Sequence, residues 1–272
     1  MGSFQEYLAV SQGLNALREA ERRYADSILQ KLALMQQVYL RRHSGLYDAS
    51  EVAGLRYYLA AVCHKFHLAS LSLEQLWALS HTTRNRLFDA ISNSLDSLDT
   101  TDDELLFAGF ALEAFLFQAR AFLSFYMIYL CRAVKTGHTG SMTRERFFRR
   151  LDGIEPGPLS GKAALLAAYF RSHVFAESDR NQFISGNWGS VLVSLRDKIT
   201  HRDRLRPSFE SDERLLDRVL FDWPTLRGIT YDRFCQDMQN GMFALFTDLS
   251  PVIYELEWQA GPCRPGTWGE TA

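Results

Sequence analysis

The chain has 272 residues, 47% hydrophobic and 23% charged, with a formal net charge of −2. That length and apolar content can bury a sizeable core and exclude a disordered chain, while the near-neutral charge excludes a global pull toward nucleic acid or membrane. Any polyanion site must come from local clustering, for which 25 arginines against 5 lysines supply the material, an imbalance that Arg-rich coding explains as well as RNA recognition does.

Residues 4–42 contain no proline and carry Leu8, Leu14, Leu17, Tyr24, Ile28, Leu32, Met35 and Tyr39 at helical spacing, which predicts one long amphipathic helix ended by His43-Ser44-Gly45. Ser50 is placed to cap a second helix through about Leu68, and Ser72 a third from Leu73 to about Leu95. The Ser-, Asp- and Thr-rich stretch 94–103 then divides an amino-terminal helical region of unassigned role, 1–100, from a second region, 101–258, with 259–272 expected as a disordered tail. The amino terminus shows no basic-then-apolar signal pattern.

Thr101-Asp102-Asp103-Glu104 starts a long helix, 105–134, that is apolar on nearly every side, as the central element of a bundle would be. Glu113, Arg120 and Ser124 fall on one face of it, marking a paired interface or a hydrated side, with the lining of a site as the further alternative. Glu113, Gln118 and Arg120 interrupt its apolar run and leave only Ala121–Cys131 without a charge, too short to span a bilayer, so no membrane is expected. Thr143 caps a short basic helix, Arg144 to Arg150, whose phenylalanines dock while its arginines face outward. Gly161-Lys162 is not a phosphate loop, because Gly157 stands one residue too close, Ala163 replaces the required Ser or Thr, and no strand precedes it. Helices over 162–175 and 188–200 follow, then an irregular charged connection over 209–228. Thr230 caps a last helix with Phe234, Met238, Leu245 and Leu249 facing inward, restarted at Ser250-Pro251. The fold class is all-α, a helical bundle with long amphipathic helices.

Cys63, Cys131, Cys235 and Cys263 are scattered, with no Cys-x-x-Cys pair, and the first three sit in apolar helical surroundings suited to buried free thiols, which fits a reducing cytoplasm. His64 and His67 stand one turn apart without a third ligand nearby, so no metal is expected. Gly-x-Ser-x-Gly, His-Glu-x-x-His and dinucleotide fingerprints are absent, and no cofactor is expected.

The pattern that carries chemistry is Leu195-Arg196-Asp197-Lys198-Ile199-Thr200-His201-Arg202. Arg196 offers a charge clamp and His201 a proton-transfer group, while Lys198, Arg202, Arg204 and Arg206 form a basic edge that RNA could meet. Arg132 and His138 meet the same loose spacing, but Ala133 follows that arginine and the segment runs out into a Gly-rich turn. A continuous helix would point Arg196 and His201 about 140° apart, so the helix must unwind near Thr200 or the two groups must serve different phosphates. Asp197 and His201 form an i,i+4 pair, through which the carboxylate can orient the imidazole.

An all-helical region with a long apolar helix and a later helix ending in Arg-polar-x-x-x-His resembles the HEPN superfamily over about residues 101–258, with Asp197 as the polar residue and the amino-terminal helices as an extension to a HEPN-like core. The resemblance implies metal-independent endoribonucleases of bacterial defence and toxin–antitoxin systems, acting as homodimers and leaving a 2′,3′-cyclic phosphate and a 5′-hydroxyl. It also implies a protein partner or antitoxin. The antitoxin-regulated subfamily has a tyrosine two positions after the histidine, where this chain has Asp203. Two other readings stand beside the enzyme: a non-catalytic scaffold of the same fold, and a small-ligand binder built on the 19 phenylalanines and 11 tyrosines.

Overall fold

The computed structural model describes residues 19, 23, 26–92, 102–136, 140–177, 185–201 and 231–256; within these, the side chains of 79–92, 102–108, 185, 198–201 and 231–232 are not described. The described part is all-α: α1 over residues 26–42, α2 Ala49–Ser92, α3 Asp102–Ala133, α4 Arg144–Asp152, α5 Ser160–His173, a 3-10 turn Ser185–Asn187, α6 Trp188–His201 and α7 Tyr231–Tyr254. Among the described residues there is no β-strand, only an isolated bridge between Ser44 and Tyr47.

Two expected helix starts are corrected. The cap of α2 is Asp48, not Ser50: its Oδ1 accepts the Glu51 amide at 2.8 Å while Glu51 Oε2 accepts the Asp48 amide at 2.8 Å, a reciprocal capping box. The expected break near Ser72 does not occur, and α2 runs 44 residues. Its apolar stripe, Leu59, Val62, Phe66, Ala69, Leu73 and Leu76, passes straight through that point, and the Ser72 hydroxyl donates back to the Leu68 carbonyl at 3.0 Å instead of opening a new helix. Thr143 does cap α4, accepting the Arg146 amide at 3.3 Å, with Phe147 buried and Phe148 half-buried.

The pairing of α2 with α3 is the most extensive in the bundle, and α3 also meets α4 and α6 while α7 lies against α2 and α5. Side chains from both sides of the 94–103 stretch share one core: Ile28, Leu32, Met35 and Tyr39 of α1 and Phe66 of α2 belong to the same cluster as Phe122 and Tyr126 of α3 and Phe246 of α7. The proposed boundary therefore separates helices along the chain but not packing units. The aromatic rings fill this core themselves, Phe66 lying 5.1 Å edge-on from Phe246 and Phe122 5.8 Å from each of them. Three buried tyrosine hydroxyls are satisfied across helices: Tyr126 donates to the Leu245 carbonyl at 2.7 Å, and Tyr129 bonds Tyr254 while accepting from Gln36 at 3.3 Å. Burial pushes the Cys63 thiol up to about 12, and Cys131 and Cys235 are likewise buried free thiols.

By length and composition alone Gly109–Ala133 could cross a membrane, and 61% of its most apolar window lies buried inside the protein, as in the core helix of a bundle.

Among the described residues two helices end on a non-glycine residue in the left-handed region, and each of these residues carries an ion pair. At the end of α3, Lys135 (φ 60°) closes a Schellman motif, with Thr136 N–H donating to Cys131 O at 2.9 Å, and its ammonium reaches Leu46 O at 2.8 Å and Glu51 at 3.0 Å. At the end of α7, Glu255 (φ 56°) donates its amide to Pro251 O at 2.9 Å, and its carboxylate bridges Lys162 at 2.8 Å and His43 at 3.1 Å. The Lys162 hydrogen bond, its charge and His43 hold the Glu255 carboxyl below the usual carboxylate range. A carboxylate lowered in the folded state stabilises above its unfolded value of about 4.3 and loses that contribution as the pH falls through the folded value. Because the pair is half exposed, Glu255→Gln is expected to lower the melting temperature by only about 1–3 °C at pH 7. The difference should vanish below about pH 3, which melts of both proteins across pH 3–8 will check.

Candidate functional site

The site is built from α3, α4 and α6. α3 is a core helix, yet one of its faces is polar. On that face the Ser124 hydroxyl accepts the Met142 amide at 3.3 Å and donates to the Met142 carbonyl at 3.4 Å, fixing the segment that leads into α4. One turn earlier, Arg120 reaches into an opening of about 420 Å³ lined by Thr143, Arg144 and Glu145 at the start of α4, by Phe175, and by Ser190, Val193, Ser194 and Asp197 of α6. The four α6 residues lie on one face at helical spacing, and position 201 continues that register one turn beyond Asp197.

Three features that are separate in sequence thus meet here: the polar face of α3, the basic helix α4 and the Arg-Asp pair of α6. Arg196 is half-buried, its guanidinium 3.1 Å from Asp197 Oδ1 and 5.6 Å from the centre of the Phe117 ring. Asp197 is half exposed. Lys198 and His201 lie on the α6 backbone with side chains outside the description, and Arg202, Arg204 and Arg206 lie outside the described residues altogether.

The expected unwinding near Thr200 is not found, since α6 is helical through His201. The i→i−4 ladder continues past Asp197, so residues 196 and 201 depart from the helix axis about 140° apart while 197 and 201 share a face. The helix therefore does not bring positions 196 and 201 of a single chain to one face.

The electrostatics of the opening are mixed. Burial pulls the Arg120 guanidinium below its ordinary range, and the nearby carboxylates of Asp197 and then Glu145 oppose that shift while Arg196 adds to it. Arg120 Nη1 is buried with no hydrogen-bond partner among the described residues. Glu145 is held below the usual carboxylate range, first by its own backbone amide and then by the Thr143 hydroxyl, so it is ionised at neutral pH. Arg144 lies 5.3 Å over the Phe175 ring.

Glu145 was not legible as a site residue. In sequence it reads as an acid in the first turn of a helix, and nothing local says that this turn faces Asp197. The signal for Arg120 was present, a single arginine on a helix that is otherwise core.

The rival arginine is structural. Arg132 lies 4.8 Å over the Tyr58 ring and against Gly54, where a Cβ would sit 2.6 Å from its guanidinium; His138 lies outside the described residues. Lys162, the residue of the rejected phosphate loop, is committed to Tyr39 OH at 2.9 Å, Ile253 O at 3.1 Å and Glu255. Among the described residues no three His, Cys, Asp or Glu side chains converge to hold a metal ion. No protein-family model, curated protein or solved structure matches the chain.

Proposed function

We propose that this chain is a metal-independent endoribonuclease of HEPN type that works as a homodimer. The observation that carries the reading is the Arg196–Asp197 pair of α6, which stands beside an opening that Asp197 lines together with Arg120 and Arg144, with position 201 continuing the lining face of α6. In this reading His201 removes the proton of the ribose 2′-hydroxyl. The freed oxygen attacks the adjacent phosphorus, the bond from phosphorus to the 5′-oxygen breaks, and that oxygen leaves with a proton from water while His201 returns its own proton to solvent. Arg196 stabilises the charge on the phosphorane through its planar fork, and Asp197 orients the imidazole from one turn away. The products are a 2′,3′-cyclic phosphate and a 5′-hydroxyl, and no metal takes part.

Since positions 196 and 201 leave α6 about 140° apart, the phosphate is clamped between two copies, the arginine coming from one and the histidine from the other. A surface for that pairing lies beside the motif: Phe110 and Phe117 stand two turns apart on one face of α3, 70% and 43% exposed, with Arg196 against the second. Light scattering at micromolar concentration is expected to give a dimer, and Phe117→Asp to give a monomer without cleavage. A wild-type monomer that cleaves RNA would remove the composite site.

The test of function is incubation of the purified chain with single-stranded RNA in EDTA, followed by analysis of the product ends. Cleavage with cyclic phosphate termini is expected. Binding of RNA or of a partner protein without cleavage would favour the scaffold reading at the same cleft, to which the uninterrupted helix through His201 lends support.

A further inference from the structure

The opening between α3, α4 and α6 is poorly suited to a phosphate alone. Its donors are the guanidiniums of Arg120 and Arg144, but the carboxylates of Glu145 and Asp197 line the same wall. A phosphate offers acceptors only and would lie against two like charges; a simple cation would meet two guanidiniums. The ligand that satisfies both walls is neutral, flat and carries donors and acceptors on adjoining edges.

We infer that this opening is a base-recognition pocket for guanine in single-stranded RNA, with Arg120 donating to the O6 and N7 edge and Glu145 accepting from N1–H and the 2-amino group. The inference rests on the ribonuclease reading for the identity of the polymer. Guanidinium to O6/N7 is a bidentate match, and a carboxylate facing N1–H and the 2-amino group is another. Adenine turns an amino group toward the arginine and has no N1–H. Cytosine offers one donor group where guanine offers two.

Arg120 is suited to this part because its neighbours on α3, Leu116, Ala119 and Leu123, are fully buried and hold the helix backbone in place. Glu145 is already ionised and therefore an acceptor only. The volume, about 420 Å³, lies within the range of small-ligand pockets. Single-stranded RNA is commonly read in this way, by splayed bases bonded along their edges.

The test is calorimetric titration of the full-length chain in EDTA with GMP, IMP, AMP and CMP. GMP is expected to bind roughly tenfold or more tightly than AMP and CMP, the discrimination typical of one good bidentate base contact, with IMP weaker than GMP because it lacks the 2-amino group. Arg120→Gln should erase the preference. Because Arg120 is half-buried and its variant can fail to fold, Glu145→Gln, at an exposed position, provides the second arm: it should bring GMP down to the level of IMP. Equal binding of the four nucleotides, no GMP binding at millimolar concentration, or a GMP preference that survives Glu145→Gln overturns the inference. Selective GMP binding by a wild-type chain that cuts no RNA would sink the ribonuclease reading and keep the pocket. RNA cut without base preference, together with equal nucleotide binding, would do the reverse.

Discussion

His201→Ala is expected to reduce cleavage of single-stranded RNA by about two to four orders of magnitude, the range typical of a lost general base. It should leave RNA affinity within a few-fold of wild type, since the phosphate clamp is supplied by arginines. Arg196→Lys should lose about two to three orders, because an ammonium keeps the charge but not the planar pair of donors that meets a phosphorane. Both losses belong in kcat, with circular dichroism confirming an intact fold. Arg132→Ala is the control: its guanidinium packs over Tyr58 and along Gly54 of α2, so it should lower stability and leave turnover per folded molecule unchanged. Equal mixtures of inactive Arg196→Ala and His201→Ala chains should regain activity if the arginine and histidine come from different copies. Undiminished cleavage by the His201→Ala protein rules out the mechanism.

Phe122→Ala is expected to be the most destabilising of the substitutions considered, costing about 3–5 kcal/mol as a buried aromatic truncated at the centre of the core. Phe122 is fully buried and its ring meets Phe66 of α2, Tyr126 of α3 and Phe246 of α7. The cavity it leaves would touch all three helices, and none can collapse into it without disturbing its other contacts. For a chain of this size the loss corresponds to roughly 6–20 °C in melting temperature. Because α1, α2, α3 and α7 share that core, thermal unfolding should remain a single transition that moves as a whole. Two transitions, of which only one shifts, would instead restore the division at 94–103.

Much of the fold is legible in sequence because helix formation leaves a local trace. The stripe Phe234, Met238, Leu245 and Leu249 predicts the buried face of α7, and all four side chains are buried. Thr143 predicts the start of α4 through a bond three residues long. The misses are also local and have a common cause. Ser50 and Ser72 are residue types that cap helices, but the capping box of Asp48 and Glu51 and the unbroken stripe of α2 outweighed them. A cap residue is a preference of about a kilocalorie, whereas each buried Leu or Phe of the stripe contributes about 1.5–3 kcal/mol.

The sequence by itself determined that the chain is helical, which faces of α1, α3 and α7 are apolar, that Cys63, Cys131 and Cys235 are buried thiols, and that Arg196, Asp197 and His201 follow one another at the end of a helix. Each of these is set by neighbours within about one or two turns, the range over which helical periodicity acts. Only the tertiary structure decided that α2 runs unbroken, that both halves of the chain share one core, and that Arg120, Arg144, Glu145 and Asp197 line one opening. Those outcomes depend on which apolar face meets which, and burial is non-directional: many pairings of the same stripes would remove similar area from water. The docking of α3 between α2, α4 and α6 selects one of them and carries the four charged side chains together as a consequence.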